Sequence, residues 1–253
     1  MVKKLLQGIA IGVTFVIPGI STGTVILLLG FYRSLLEGIS RLNVRPYLLH
    51  LAGGAIGALA FVRIIGFLLS RAEDLLMAFF LGAMVLSVRV VLLHGENTRI
   101  APVPLLLGAA GFATTFFIVG EPSSTLTVLP PGSLFHFFLG GAVASATMLL
   151  PGVSGSAALV IMNLYDDVTL AVNQWQWLNL AVFGAGCITG LLGLARLLSA
   201  LYRRYSNAIT FLLAGLILGS TRALLPAAIT PGVIMAAAAG GLLIYCLGGR
   251  KKT

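Results

Sequence analysis

Long apolar runs alternate along the chain with short polar breaks, and two of the runs are interrupted in mid-course by Pro-Gly-x-Ser. Six stretches are continuous: 47–69, 75–93, 102–119, 177–199, 208–225 and 231–247. Each is close to the roughly 20 apolar residues that a helix needs to cross hydrocarbon. Stretches 5–32 and 134–165 differ. Pro18-Gly19-Ile20-Ser21-Thr22-Gly23 divides the first, and Pro151-Gly152-Val153-Ser154-Gly155-Ser156 divides the second. Proline removes a backbone donor and glycine admits dihedrals closed to other residues, so a helix stops at each pair. The remaining limbs are short for a full crossing and suit re-entrant segments, whose irregular tips must face protein or a watery cavity. The pattern predicts an all-α polytopic membrane protein.

The two interrupted stretches belong to an internal repeat. At an offset of 133 the halves align without a gap: Pro18, Gly19 and Ser21 meet Pro151, Gly152 and Ser154, and Tyr32 meets Tyr165. Arg63, Arg71 and Arg89 meet Arg196, Arg204 and Arg222. Shared membrane composition produces chance Gly and Leu matches but does not readily place arginines in one register. The expected organisation is a first repeat (1–120), a linker (121–133) and a second repeat (134–253).

Composition agrees with the pattern. Hydrophobic residues make up 58% of the 253 and charged residues 9%, against about a quarter in soluble domains. The net charge of +9 is spread between and within apolar runs instead of clustering on one wet face, which argues against nucleic-acid binding. Lys3 and Lys4 open an apolar run without a convincing cleavage site, so that run is read as part of the mature membrane domain. Cys187 and Cys246 lie in apolar segments and suggest neither a disulfide framework nor a metal site.

Charge also chooses a topology. With each interrupted stretch as a hairpin and the N-terminus in the cytoplasm, eleven Lys and Arg of the loops and ends fall inside and one, Arg71, outside. With full crossings the division is eight against four. Positive charge favours the cytoplasmic side. Each half is therefore expected to hold one re-entrant hairpin and three crossings. An odd number of crossings turns the second half over, giving an inverted repeat with both termini in the cytoplasm.

The candidate chemistry is anion binding. Ser21, Thr22, Gly23 and Thr24 open the returning limb of the first hairpin; Ser154, Gly155 and Ser156 open the second. A helix starting within the membrane presents unpaired N–H groups, and hydroxyls add donors. Pro18, Gly19, Pro151 and Gly152 shape the tips. The plainer alternative is a kinked helix with a serine cap. Arg63 and Arg196 stand deep in their spans, without a carboxylate within a turn, at a cost of roughly 2.5–3.5 kcal/mol each on the gentlest scale. Such a cation invites an anionic ligand. Arg89 and Arg222 lie nearer span ends and suit either phosphate binding or interfacial anchoring. Glu37, Glu73, Asp74, Glu96, Glu121, Asp166 and Asp167 all fall in loops or at span edges. Neither a metal site nor a cofactor is expected.

At this point the two motifs resemble a known family. Pro18 through Thr24, leading to Gly30-Phe31-Tyr32, is similar to the first signature of the polyprenyl-phosphate transporter family. Pro151 through Ser156, leading to Leu164-Tyr165, is similar to the second. Two positions depart from the expected glycine: Thr22 in the first signature and Asn163 before Leu164-Tyr165. The resemblance implies a carrier rather than an enzyme, working in the bacterial cytoplasmic membrane. It would return undecaprenyl phosphate to the inner leaflet for cell-envelope glycan synthesis, with the bilayer and that lipid as its partners. Two alternatives stand beside it. A membrane polyprenyl-diphosphate phosphatase would need a carboxylate or histidine near Ser21 or Ser154, and none is expected there. A carrier of a small soluble anion would use the same tips without a lipid tail.

Overall fold

A computed structural model describes residues 1–16, 21–94, 99–120 and 133–248. Pro18 and Gly19 of the first tip and residues 121–132 of the linker lie outside the described residues. The described chain forms ten α-helices: α1 (Val2–Val16), α2 (Thr22–Leu28), α3 (Tyr32–Ser40), α4 (Leu48–His94), α5 (Pro102–Gly120), α6 (Leu134–Leu149), α7 (Gly155–Ile161), α8 (Tyr165–Asn173), α9 (Trp177–Ser220) and α10 (Pro231–Gly248).

The offset of 133 recurs in the boundaries. Both ends of α2 and α3 map onto both ends of α7 and α8. The left-handed residues map too: Gly30 (φ 76°) onto Asn163 (φ 53°), and Leu42 (φ 56°) onto Trp175 (φ 52°). Asn163 thus stands at a position that needs positive φ, and asparagine is the residue that tolerates it best after glycine. The departure noted in the second signature is therefore a conservative one for the backbone.

The chain bends sharply after each short limb. The axes of α2 and α3 meet at 116°, and those of α7 and α8 at 108°. The nine-residue helices α3 and α8 have no counterpart among the elements expected from the pattern. They are polar enough to break the apolar runs.

α4 and α9 differ from the expected pairs of separate spans in a second way. Each is one helical run, of 47 and 44 residues, broken only by a non-helical residue at Ala72 and Tyr205 respectively. A straight helix of that length would run about 65–70 Å, more than twice the roughly 30 Å of hydrocarbon. The bend falls where charge requires a surface: Arg71, Glu73 and Asp74 flank Ala72, and Arg203 and Arg204 precede Tyr205. Asp74 and its counterpart Asn207 then serve one purpose. Asp74 Oδ1 accepts from the Ala227 N–H (3.0 Å) ahead of α10, and Asn207 joins the backbone of Arg99 ahead of α5 at 2.8 and 3.2 Å.

The two repeats exchange their last helices. α5 lies along the second limb of α9, where Gly111 meets Leu212 and Leu216, Gly215 meets Gly108 and Phe112, and Gly219 meets Phe112 and Phe116. α10 lies along the second limb of α4 through Gly82, Gly240 and Gly241. Small residues let helix backbones approach closely where lipid supplies no hydrophobic drive. α1 and α6 pack in the same way on the first limbs of α4 and α9. The core lies between the repeats: Ile11, Ile26, Tyr32 and Leu36 pack with Leu149, Ala195, Leu198, Ile209, Leu213 and Leu216. Large apolar side chains such as Leu59, Phe67, Leu106, Ile234 and Met235 cover the outside. With a mean hydropathy of +1.06, this is a multi-pass membrane protein.

Candidate functional site

The site is built from the two helix breaks. In the second repeat α6 ends at Leu149, and Leu150 is extended. Gly152 follows at φ 83°, a conformation that only glycine adopts freely. Ser154 is extended at the start of α7. α7 then runs back along α6: Gly155 meets the Ala144 carbonyl, Leu164 packs on Gly140, and His136 Nε2 lies 3.0 Å from the Met162 carbonyl. In the first repeat the described residues flanking the break match. Ser21 is extended at the start of α2, and Gln7 Nε2 reaches the Leu29 carbonyl at 3.5 Å.

The two breaks meet. Ser21 Oγ donates to the Leu150 carbonyl (3.1 Å), and the Tyr32 hydroxyl donates to the Leu149 carbonyl (2.5 Å). Gly23 faces the carbonyls of Met148 and Leu149, where a Cβ would press at 3.1–3.3 Å. Behind the second break, Gly152 abuts the Leu216 carbonyl and Ser220 Oγ at the end of α9. Thr115 of α5 donates to that same carbonyl at 2.9 Å. Residues from both repeats thus close around the second tip.

The arrangement is not symmetrical. Ser21 is buried and Thr24 fully so, and Thr24 Oγ1 has no partner among the described residues. Thr22 is half-buried. Ser154 and Ser156 are exposed, and their hydroxyls share one hydrogen bond of 2.8 Å. Gly155 is buried between them. Neither Ser21 nor Ser154 caps its helix through its side chain. Each leaves donors at the helix start for another acceptor. α3 shows the same imbalance: it packs against α9 with Tyr32 and Leu36 buried, whereas Tyr165, the counterpart of Tyr32, is half exposed.

The arginines sit in two pairs. Arg222 Nη1 donates to the Phe116 carbonyl at 2.8 Å and covers the Phe116 ring at 4.7 Å, two residues beyond Ser220. Arg89 is exposed and covers the Tyr245 ring at 5.0 Å. Both are therefore held by the exchanged last helices. Arg63 and Arg196 point away from the packed interior and are exposed on the first limbs. Arg196 Nε reaches the Ser40 carbonyl at 3.4 Å; Arg63 has no hydrogen bond or ion pair among the described residues. Their level is set by packing. Gly8 meets His50 and Gly53, and Gly12 meets Gly54 and Ala58, so α1 and α4 run parallel. Continuing that register brings Arg63 about one turn beyond the end of α1 at Val16. The same reasoning from Gly141 against Phe183 and Cys187, and Gly190 against Ala142, brings Arg196 level with the second tip.

Sequence reasoning did not single out Tyr32, Thr115 or Ser220 as part of the site. Tyr32 carried a signal, since it recurs as Tyr165 at a fixed distance after each break. Ser220 also recurs, as Ser87. Thr115 carried none, because only the exchange of α5 brings it there. Among the described residues no three His, Cys, Asp or Glu side chains gather to hold a metal.

A family model described as undecaprenyl phosphate translocase-like matches residues 3–101 and 74–239. The chain belongs to that family. It is 32% identical over 239 residues to a protein of Vibrio cholerae named polyprenyl-phosphate transporter, covering 85% of this chain and 74% of the relative. It is 28% identical over 246 residues to a protein of the same name from Staphylococcus aureus, covering 88% and 86%. No solved structure matches the chain.

Proposed function

We propose that this protein carries a polyprenyl phosphate across the cytoplasmic membrane, head group through the protein and tail in lipid, returning the carrier to the inner leaflet for envelope synthesis. The observation that carries the reading is the meeting of the two broken segments. Buried Ser21 reaches the second break at the Leu150 carbonyl, neither Ser21 nor Ser154 caps its helix, and no carboxylate hydrogen-bonds to either serine among the described residues. Ser21, Thr22, Gly23 and Thr24 from one repeat and Ser154, Gly155 and Ser156 from the other hold the phosphate. α2 and α7 are each only seven residues long, so their dipoles are small and cationic side chains must supply most of the charge complementarity. Arg63 and Arg196 do so at the level of the tips, and Arg89 and Arg222 beside the exchanged helices.

The repeats are inverted, and the broken segments are re-entrant. Packing supports the inversion. The second limb of α9 runs parallel to α5, because contacts advance together along both helices. α5 follows α4 after a short connection and so runs opposite to it. The second limb of α9 is then opposed to that of α4. Burial of α3 and Tyr32 beside exposure of Tyr165 represents one of two equivalent states. In the other, α8 docks and α3 withdraws, so that the tips face the opposite leaflet. Such rocking about a fixed site is how inverted repeats alternate access.

The protein acts as a carrier and not as a phosphatase. The test is a lipid-binding measurement on purified protein against a panel of prenyl phosphates, with phosphate release followed in parallel. Binding that weakens in Ser21→Ala/Ser154→Ala, without phosphate release, is the expected result. Hydrolysis of a prenyl diphosphate by the purified protein, or binding of inorganic anions in preference to prenyl phosphates, would overturn it.

A further inference from the structure

A second cationic site lies at the bend of α9, with Tyr32 between it and the second tip, since Tyr202 of its lining packs edge-on to Tyr32. Arg33 of α3, Pro104 of α5 and Tyr202, Arg203, Arg204 and Asn207 of α9 line a cavity of about 470 Å³, within the usual range for small-molecule sites. Arg203 and Arg204 are exposed to it, and the Arg204 guanidinium lies 5.4 Å from the Tyr205 ring. Arg33 pairs with Glu37 at 3.7 Å, with about 40% of each side chain exposed. Asn207 clasps the backbone of Arg99 from both sides. Guanidinium groups offer forked donors that match phosphate oxygens.

The equivalent bend of the first repeat shows that the scaffold does not require this charge. There Ser70 stands for Arg203, Glu73 for Ser206 and Asp74 for Asn207. Asp74 clasps the chain ahead of α10 as Asn207 clasps the chain ahead of α5. An acid and an amide thus perform the same structural task, yet one bend is net acidic and the other strongly basic. Charge-driven topology alone would place arginines near this surface; it would not build them around a cavity between three helices.

We propose that the cavity at the α9 bend binds a phosphate-bearing head group, as a holding site separate from the tips on one side of the membrane. It rests on the carrier reading only for its role in transport; phosphate binding itself does not depend on that reading. A phosphate approaching or leaving the tips is held at the basic bend and repelled at the acidic one, which gives a symmetrical fold an electrical direction.

The test uses the full chain in nanodiscs of zwitterionic lipid. Three probes are titrated: inorganic phosphate, a water-soluble short-chain prenyl monophosphate, and nanodiscs doped with phosphatidylglycerol. Arg203→Gln/Arg204→Gln should weaken binding of at least one probe about tenfold or more, the loss of two charge-assisted contacts. Arg71→Gln should leave it unchanged. Binding of the prenyl phosphate alone identifies the substrate as the occupant; competition by phosphatidylglycerol identifies head groups generally; response to inorganic phosphate identifies a free anion. All three keep the site. Native mass spectrometry should show one bound phosphate fewer in the double variant, and Ser21→Ala/Ser154→Ala should lose a different one. If the glutamine variant fails to fold, Arg203→Gln and Arg204→Gln singly are read instead. Folded variants that bind every probe as the wild type does would overturn the proposal. Wild type that binds at the bend yet moves no prenyl phosphate would instead overturn the carrier reading.

Discussion

Removing the Tyr32 hydroxyl tests how the breaks are joined and how the two repeats differ. Tyr32 is 4% exposed, and its hydroxyl donates to the Leu149 carbonyl at 2.5 Å, in the last turn of α6. Tyr32→Phe keeps the ring, which packs edge-on to Tyr202 at 6.3 Å between centroids, so no cavity term enters. What is lost is one buried hydrogen bond, leaving a carbonyl without its donor. That costs about 1–3 kcal/mol. At about 2–4 °C per kcal/mol for a chain of this size, thermal unfolding in detergent, followed by circular dichroism, should fall by roughly 2–12 °C. Tyr165→Phe is the internal control. The same residue at the equivalent position is 48% exposed and its hydroxyl has no partner among the described residues, so its loss should stay within about 0.5 kcal/mol. Both variants should slow transport if α3 and α8 dock in turn. Equal stability losses from the two variants, or none from Tyr32→Phe, would refute the reasoning.

Gly215→Leu drives a side chain into the Gly108 carbonyl across the α5–α9 contact, whereas in Gly193→Leu the new Cβ meets nothing within 4 Å. The first should cost at least about 1–3 kcal/mol and the second little, read as folded yield and unfolding temperature. Arg63→Gln and Arg196→Gln should weaken prenyl-phosphate binding about tenfold while the folded fraction is preserved, since both side chains are exposed; a variant that unfolds while its folded fraction binds normally would make that arginine structural. Inward transport in proteoliposomes should quicken as the outside pH falls from about 8 to about 6, because the second phosphate ionisation lies near 6 and each charge moved against the potential costs about 2.3 kcal/mol per 100 mV. A sodium requirement without pH dependence would sink that expectation.

The breaks at Ser21 and Ser154, the apolar runs and the offset of 133 were all legible in the sequence, because each is local. Proline and glycine stop a helix wherever they fall, hydrocarbon demands long apolar runs, and duplication leaves arginines and tyrosines in register. Asn163 stood out in the sequence only as a departure from the expected glycine; its left-handed backbone, matching that of Gly30, came from the structure. The bends at Ala72 and Tyr205 were only half legible: charge marked a surface there, but whether the chain turns through a loop or a single non-helical residue depends on what packs against both limbs. The partners of Gly82 and Gly215 were not legible at all. Small residues permit close approach without naming the backbone that approaches, so the exchange of α5 and α10, and with it the place of Thr115, was decided by tertiary packing. The same holds for Tyr32 and Tyr165. Each opens a nine-residue helix, although Arg33 follows the first and Asp166 the second, and they differ in burial because α3 packs with Tyr32 against α9 of the opposite repeat. That packing depends on the whole molecule, which no local pattern encodes.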